Sequence, residues 1–224
     1  MIKYIIAIFI SAVISYLLGS CNSSIITVKL LKGEDIRKFG SGNAGLTNTL
    51  RCFGKLPALF TLIGDLLKGV IAVFICKFIC TLLDAGIGLD GDIRYIGYIA
   101  CLFTVIGHIF PVYYGFKGGK GILIAAMCML FADPVVFVCE AVVFFVLVGI
   151  TKYISVGSLA ACVGFPVFSF VVDMLTLEDK TFMPAHIIIA FAMGALCFAR
   201  HWSNIERLRN HTENKFTIKK NKEV

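Results

Sequence analysis

The chain has 224 residues, of which 58% are hydrophobic and only 16% charged, with a formal net charge of +7. Soluble domains are about half apolar and about a quarter charged, so this balance excludes an ordinary soluble globule. The basic residues lie against apolar segments and lack interleaved aromatics, which argues for anionic lipid headgroups and against a nucleic-acid partner.

Apolar runs fall at 4–31, 56–79, 94–112, 121–132, 135–150, 154–172 and 183–200. Most approach the ~20 residues needed to cross ~30 Å of hydrocarbon at ~1.5 Å per residue. Only Lys3 precedes the first run and no small-residue cleavage site follows it, so it reads as a retained helix rather than a signal peptide. The fourth and fifth runs are short and are separated by Asp133-Pro134, where one helix stops and the next begins. The expected fold is all-α and polytopic, with about seven transmembrane helices, or six if the fourth and fifth form a re-entrant pair. One membrane domain, 1–209, is followed by a basic tail, 210–224.

Seven crossings divide the loops into two sets. Residues 29–55, 113–120, 151–153 and the tail from Arg200 hold most of the Lys and Arg. The other set holds Lys3, Arg94 and Lys180 beside Asp84, Asp90, Asp92, Asp133, Asp173, Glu178 and Asp179. The excess of Lys and Arg marks the cytoplasmic face, which places the N-terminus outside and the C-terminus inside.

Seven of the nine cysteines (Cys76, Cys80, Cys101, Cys128, Cys139, Cys162 and Cys197) sit in apolar runs, and none forms a CxxC pair. They read as small hydrophobes in helix packing, and no metal is expected. Cys21 and Cys52 lie nearer polar segments, where they could be reactive without being catalytic.

Three segments carry chemistry, and all three fall in the basic loop set. Gly40-Ser41-Gly42-Asn43-Ala44-Gly45-Leu46-Thr47-Asn48 is followed by Arg51. Glycines at this density let backbone N–H groups converge on an anion, Ser, Thr and Asn add donors, and Arg51 adds a fork for phosphate. Gly40, Gly42 and Gly45 match GxGxxG, but without a preceding strand a dinucleotide site is excluded. Phe116-Lys117-Gly118-Gly119-Lys120-Gly121 fails the Walker A pattern, yet its lysines and glycines precede a helix and so favour an anion. His201-Trp202-Ser203-Asn204-Ile205-Glu206-Arg207-Leu208 puts His201, Asn204 and Leu208 on one helical face. The alternative is an interfacial anchor belt.

Inside the apolar runs, Asp65 and Lys68 are three residues apart and are expected to pair, whether structurally or facing the site. His108 suits helix packing or a hinge better than catalysis. Glu140 has no evident partner.

Together the three segments resemble the bacterial membrane acyl-phosphate:glycerol-3-phosphate acyltransferase family. The matching stretches are GSGNAGLTNTLR at 40–51, HIFPVYYGFKGGKG at 108–121 and HWSNIERL at 201–208. The resemblance implies a seven-helix enzyme that moves a fatty acyl group from acyl phosphate to the 1-hydroxyl of glycerol 3-phosphate, giving lysophosphatidate and phosphate. It implies glycerol-phosphate contacts at Ser41, Arg51, Lys120, His201 and Asn204, and an acyl-phosphate cradle at Gly42, Asn43 and Thr47. The expected catalytic residues are His201, Ser41 and Lys120. Gly40, Gly42, Asn43, Gly45, Thr47, Asn48, Arg51, Lys117, Gly118, Gly119, Gly121 and Asn204 are expected to bind substrate. No cofactor is expected; the partners are acyl phosphate, glycerol 3-phosphate and membrane lipid, and the chain is expected to be a monomer in the cell membrane with its site on the cytoplasmic face. The family commonly has Pro and Ala where this chain has Ala44 and Leu46, a small polar residue at Ile124, a Pro-containing stretch at 19–23 and Gly at His211. Two rivals remain: a sister enzyme using acyl-CoA or another acceptor, and a transporter of phosphorylated anions.

Overall fold

The computed structural model describes residues 2–83 and 93–216; Asp84, Asp90, Asp92 and the basic residues beyond 216 lie outside them. The described residues form ten α-helices joined by short connections, with no strand among them. In order these are α1 (Ile2–Ser20), α2 (Ser23–Lys32), α3 (Leu46–Phe53), α4 (Lys55–Leu82), α5 (Ile93–Ile109), α6 (Ile122–Ala132), α7 (Pro134–Thr151), α8 (Ile154–Thr176), α9 (Met183–Arg200) and α10 (Trp202–Arg209).

Among the described residues, six spans are long and apolar enough to cross a membrane: Ile2–Lys32, Lys55–Leu82, Ile93–Tyr114, Pro134–Thr151, Ile154–Thr176 and Met183–Arg200. The fourth apolar run, α6, is an eleven-residue helix. At ~1.5 Å per residue it covers only about half the hydrocarbon thickness. The first run is two helices rather than one. Asn22 interrupts it, because its side chain accepts from the Ile25 N–H (3.1 Å) and caps a new N-terminus. At the α6–α7 junction, Asp133 accepts from the Val136 N–H (3.3 Å) and Pro134 takes a first-turn position where no N–H is required.

Helix α5 is central, packed against α1, α4, α6 and α9. Small residues set the closest approaches. A Cβ on Gly107 would stand 2.2 Å from the Tyr16 carbonyl, one on Gly19 2.2 Å from that of Thr104, and one on Gly194 2.3 Å from that of Cys162. With lipid outside, there is little hydrophobic drive between helices, and such backbone approach supplies the packing instead. The nine cysteines are free thiols, six of them buried. Helix α7 packs on α6 and α8 and turns Val135, Val138, Val142, Phe145 and Ile150 outward, as a lipid-facing helix should.

Candidate active site

The first glycine-rich loop is braced from within. Gly40 and Gly42 take left-handed φ values of 57° and 70°, which favour glycine. Asn48, on α3, accepts from the Ser41 N–H (3.1 Å) and donates to the Phe39 (2.9 Å) and Asn43 (3.1 Å) carbonyls. Its amide is spent on holding the loop shape. Ala44 is fully buried beside Ile25, Val28 and Ile36, and its carbonyl accepts from Asn22 Nδ2 (3.3 Å). Ser24 and Thr49 share a buried hydrogen bond (2.6 Å) that ties α2 to α3.

The second loop folds back on the end of α5. The Gly118 N–H donates to the Ile109 carbonyl (3.1 Å), and the Gly119 N–H donates to that of His108 (3.0 Å). A Cβ on Gly118 would lie 2.0 Å from the His108 carbonyl, and one on Gly119 2.1 Å from His108 Nε2. These glycines are needed for close packing, and their amides are not free to greet an anion. His108 is itself held from behind. Lys68 Nζ lies 3.0 Å from its Nδ1 and 2.9 Å from Asp65, and also donates to the Gly19 and Cys21 carbonyls. The Asp65–Lys68 pair therefore exists, and with His108 it joins the end of α1 to the loop after α5.

Arg37 joins the two loops. It pairs with Asp35 at 2.7 Å and donates to the Tyr114 (2.7 Å) and Lys117 (3.4 Å) carbonyls. The bond from Arg37 holds the Asp35 carboxyl below its ordinary range, and Asp35 raises Arg37 in return.

His201 stands at the junction of α9 and α10, 4% exposed. Its Nδ1 lies 2.7 Å from the Cys197 carbonyl, so Nδ1 carries the hydrogen and Nε2 is left as an acceptor. Burial draws the imidazole down to about 4, so it is neutral near pH 7. Lys120 donates to Asn204 Oδ1. Burial, with Arg207 nearby, pulls its ammonium down to about 8. Asn204 Nδ2 donates to Glu213 (3.0 Å), which also accepts from Arg207 Nε (2.6 Å). The segment after α10 thus returns to the site, and the Phe216 N–H reaches the Lys152 carbonyl (2.6 Å).

These pieces surround one cavity of about 800 Å³. Ser41, Asn43, Gly45, Thr47, Asn48, Arg51, Lys120, Gly121, His201 and Asn204 line its polar mouth, with Arg207 and Glu213. Its depth runs between α6, α7, α8 and α9 and is walled by Met127, Phe137, Phe144, Phe165 and Met193. A smaller cavity of about 320 Å³ adjoins it, sharing Ser41, Asn43 and Lys120 and adding Gly42, Gly118, Arg200 and Ser203. Of the residues expected from sequence, Gly40, Lys117 and Gly119 line neither cavity; they shape the loops. Sequence reasoning missed Asp35, Arg37 and Glu213. Glu213 carried no signal beyond lying near the third motif; with Asn214, Lys215 and Phe216 it lines the main cavity.

The family model described as glycerol-3-phosphate acyltransferase matches residues 9–211. A glycerol-3-phosphate acyltransferase of Clostridioides difficile (strain 630) is 40% identical over 96% of this chain and 98% of its own length. One of Macrococcus caseolyticus (strain JCSC5402) is 38% identical over 92% and 96%. Among solved structures, the crystal structure of PlsY, an integral membrane glycerol 3-phosphate acyltransferase, in its glycerol 3-phosphate form superposes with a TM-score of 0.76 at 30% identity, covering 94% of this chain and 96% of that one. Its lysophosphatidic acid form gives 0.74 at 28% identity, covering 94% and 95%. This multi-pass membrane protein belongs to the glycerol-3-phosphate acyltransferase family.

Proposed function

We propose that the chain transfers a fatty acyl group from acyl phosphate to the 1-hydroxyl of glycerol 3-phosphate, giving lysophosphatidate and inorganic phosphate. The observation that carries this reading is the two-part cavity: a mouth lined by cationic and polar side chains opens directly onto an apolar depth within the helix bundle. A phosphorylated polyol suits the first and a fatty chain the second. The related structure with glycerol 3-phosphate supports the acceptor. The donor rests on the chemistry of the site and on the motif resemblance.

Acyl phosphate is a mixed anhydride with a good leaving group, so the reaction needs positioning and charge more than a covalent intermediate. Arg51, Lys120 and Asn204 hold the acceptor's phosphate, and Ser41 contacts it from the first loop. The same cations offset repulsion between two anionic substrates and stabilise charge that grows on the phosphate and carbonyl oxygens. The 1-hydroxyl oxygen attacks the carbonyl carbon as the carbon–oxygen bond to phosphate breaks. His201, neutral with Nε2 unprotonated, orients that hydroxyl and accepts its proton. The departing phosphate is the alternative acceptor. The mouth lies among Arg51, Lys120, Lys152, Arg200 and Arg207, which supports a site on the cytoplasmic face of the cell membrane.

Membranes carrying the protein, given labelled glycerol 3-phosphate with either palmitoyl phosphate or palmitoyl-CoA, test the reading. Labelled lysophosphatidate from the phosphate donor alone is expected. Product from the CoA donor alone overturns the donor assignment, and product from neither overturns the reaction.

A further inference from the structure

Glu140 has no role in the reaction described above. It lies on α7, flanked by outward-facing Val138 and Val142, yet both of its carboxyl oxygens are buried and have no hydrogen-bond partner. A Cβ on Gly164 of α8 would stand 2.9 Å from Glu140 Oε1, so the carboxyl rests where a larger residue would displace it. Glu140 lines the main cavity between Phe137, Phe144 and Cys162, in its apolar depth rather than at its mouth. Eleven residues separate it from Thr151, the end of α7 nearest the basic loops. At ~1.5 Å per residue this places it about 16 Å along the bundle, near the middle of a ~30 Å hydrocarbon layer.

Buried carboxyls in native structures are hydrogen-bonded, and an exception needs an explanation. A carboxyl oxygen accepts a hydrogen bond whether or not the group is ionised. A plain hydrocarbon chain has no donor to give it. We infer that Glu140 is a recognition point for a hydroxyl carried part-way along the acyl chain, so that this cavity takes hydroxylated fatty acyl donors in preference to plain ones. This rests on reading the cavity as the acyl-chain site.

The chain hydroxyl donates to a carboxyl oxygen of Glu140 while the acyl phosphate lies at Lys120, so the position of the hydroxyl is fixed by the depth of the acid. The preference is therefore expected for one mid-chain isomer and not for hydroxyls near either end. An apolar cavity without such an acceptor would disfavour every hydroxylated chain alike.

The test compares wild type, Glu140→Leu and Glu140→Gln with palmitoyl phosphate and a series of hydroxypalmitoyl phosphates whose hydroxyl steps along the chain. The readout is the kcat/KM ratio of each hydroxylated chain to the plain one. In wild type one mid-chain isomer should exceed both the plain chain and its neighbouring isomers at least ~10-fold. Glu140→Gln, which keeps an acceptor oxygen, should retain that peak, and Glu140→Leu should lose it. The same profile in wild type and Glu140→Leu, or no peak in wild type, overturns the inference. Failure of palmitoyl phosphate itself would count against the donor assignment instead. Thermal stabilisation by the free hydroxypalmitic acids, measured on the same three proteins, then gives the same comparison without turnover.

Discussion

A polar cluster is buried at each end of α9, and each is built around a histidine. His186 is fully buried and stacks on Tyr98 with centroids 4.6 Å apart; its Nδ1 lies 2.8 Å from Asp173. Tyr98 reaches Ser169 (3.0 Å) and Asp133 (3.3 Å), and Arg94 stands 3.7 Å from Asp173 and 3.8 Å from Asp133. His201, at the other end, touches one backbone carbonyl with Nδ1 and lines a cavity. The first histidine is enclosed by protein groups, whereas the second has an acceptor and a space in front of it. Burial alone does not separate them, since both are nearly inaccessible. A cavity beside an uncommitted polar atom does, and it is the basis for placing the proposed chemistry at the His201 end.

The largest expected effect follows from removing the uncommitted atom. His201→Ala should cut turnover about 100-fold or more while the protein stays folded. Lysophosphatidate formation normalised to folded protein measures this, and near-normal turnover would remove His201 from the site. The opposite cluster should respond in stability. Asp173→Ala breaks a buried charged contact and should cost about 3–5 kcal/mol in detergent unfolding, with little change in rate per folded molecule.

The glycine-rich second loop sharpens the contrast. Gly119→Ala drives a methyl into His108 and the Ala44 carbonyl, so the loop must move, and a rate loss of about 10-fold is expected. Gly149→Ala, on α7 with nothing within 4 Å of its Cβ, should leave the rate alone and gain up to about 1 kcal/mol.

pH reports on the site end. Lys120, held down to about 8, carries its charge below that value and loses it above, so kcat/KM should decline as pH rises through about 8. Lys120→Arg should move that decline to higher pH. His201, held down to about 4, stays neutral from the alkaline side until pH approaches 4, so no acid-side loss of rate should appear near pH 6. Its burial favours the neutral form, so its contribution to stability is complete above about pH 6.5 and is lost as pH falls toward 4. The smallest effect belongs to His211, which holds φ at 58° where glycine is at ease. His211→Gly should relieve that strain and change unfolding by about 1 kcal/mol or less.

The membrane class, the helical fold and the convergence of three separated motifs were legible in the sequence. Apolar blocks of bilayer length leave few alternatives, and glycine, lysine, arginine and asparagine are costly to place together without a purpose. What escaped was set by tertiary contacts. The break at Asn22 looks like a small polar patch, with Ser20, Ser23 and Ser24, inside an apolar run until the Asn22 side chain is seen capping α2. The Gly118 and Gly119 amides look available until the loop is seen folded onto His108. Asn48 looks like a ligand donor, yet its amide holds the loop shape. Glu213 announces nothing, because its pairing with Arg207 and Asn204 depends on the chain turning back after His211.

The central claim is that the substrate's phosphate is held at the Arg51–Lys120–Asn204 mouth. Equilibrium binding of labelled glycerol 3-phosphate to purified wild type, Arg51→Ala and His186→Asn tests it most directly. The account predicts affinity at least ~10-fold weaker for Arg51→Ala and unchanged for folded His186→Asn. Unchanged affinity in Arg51→Ala, or loss confined to His186→Asn, would contradict it.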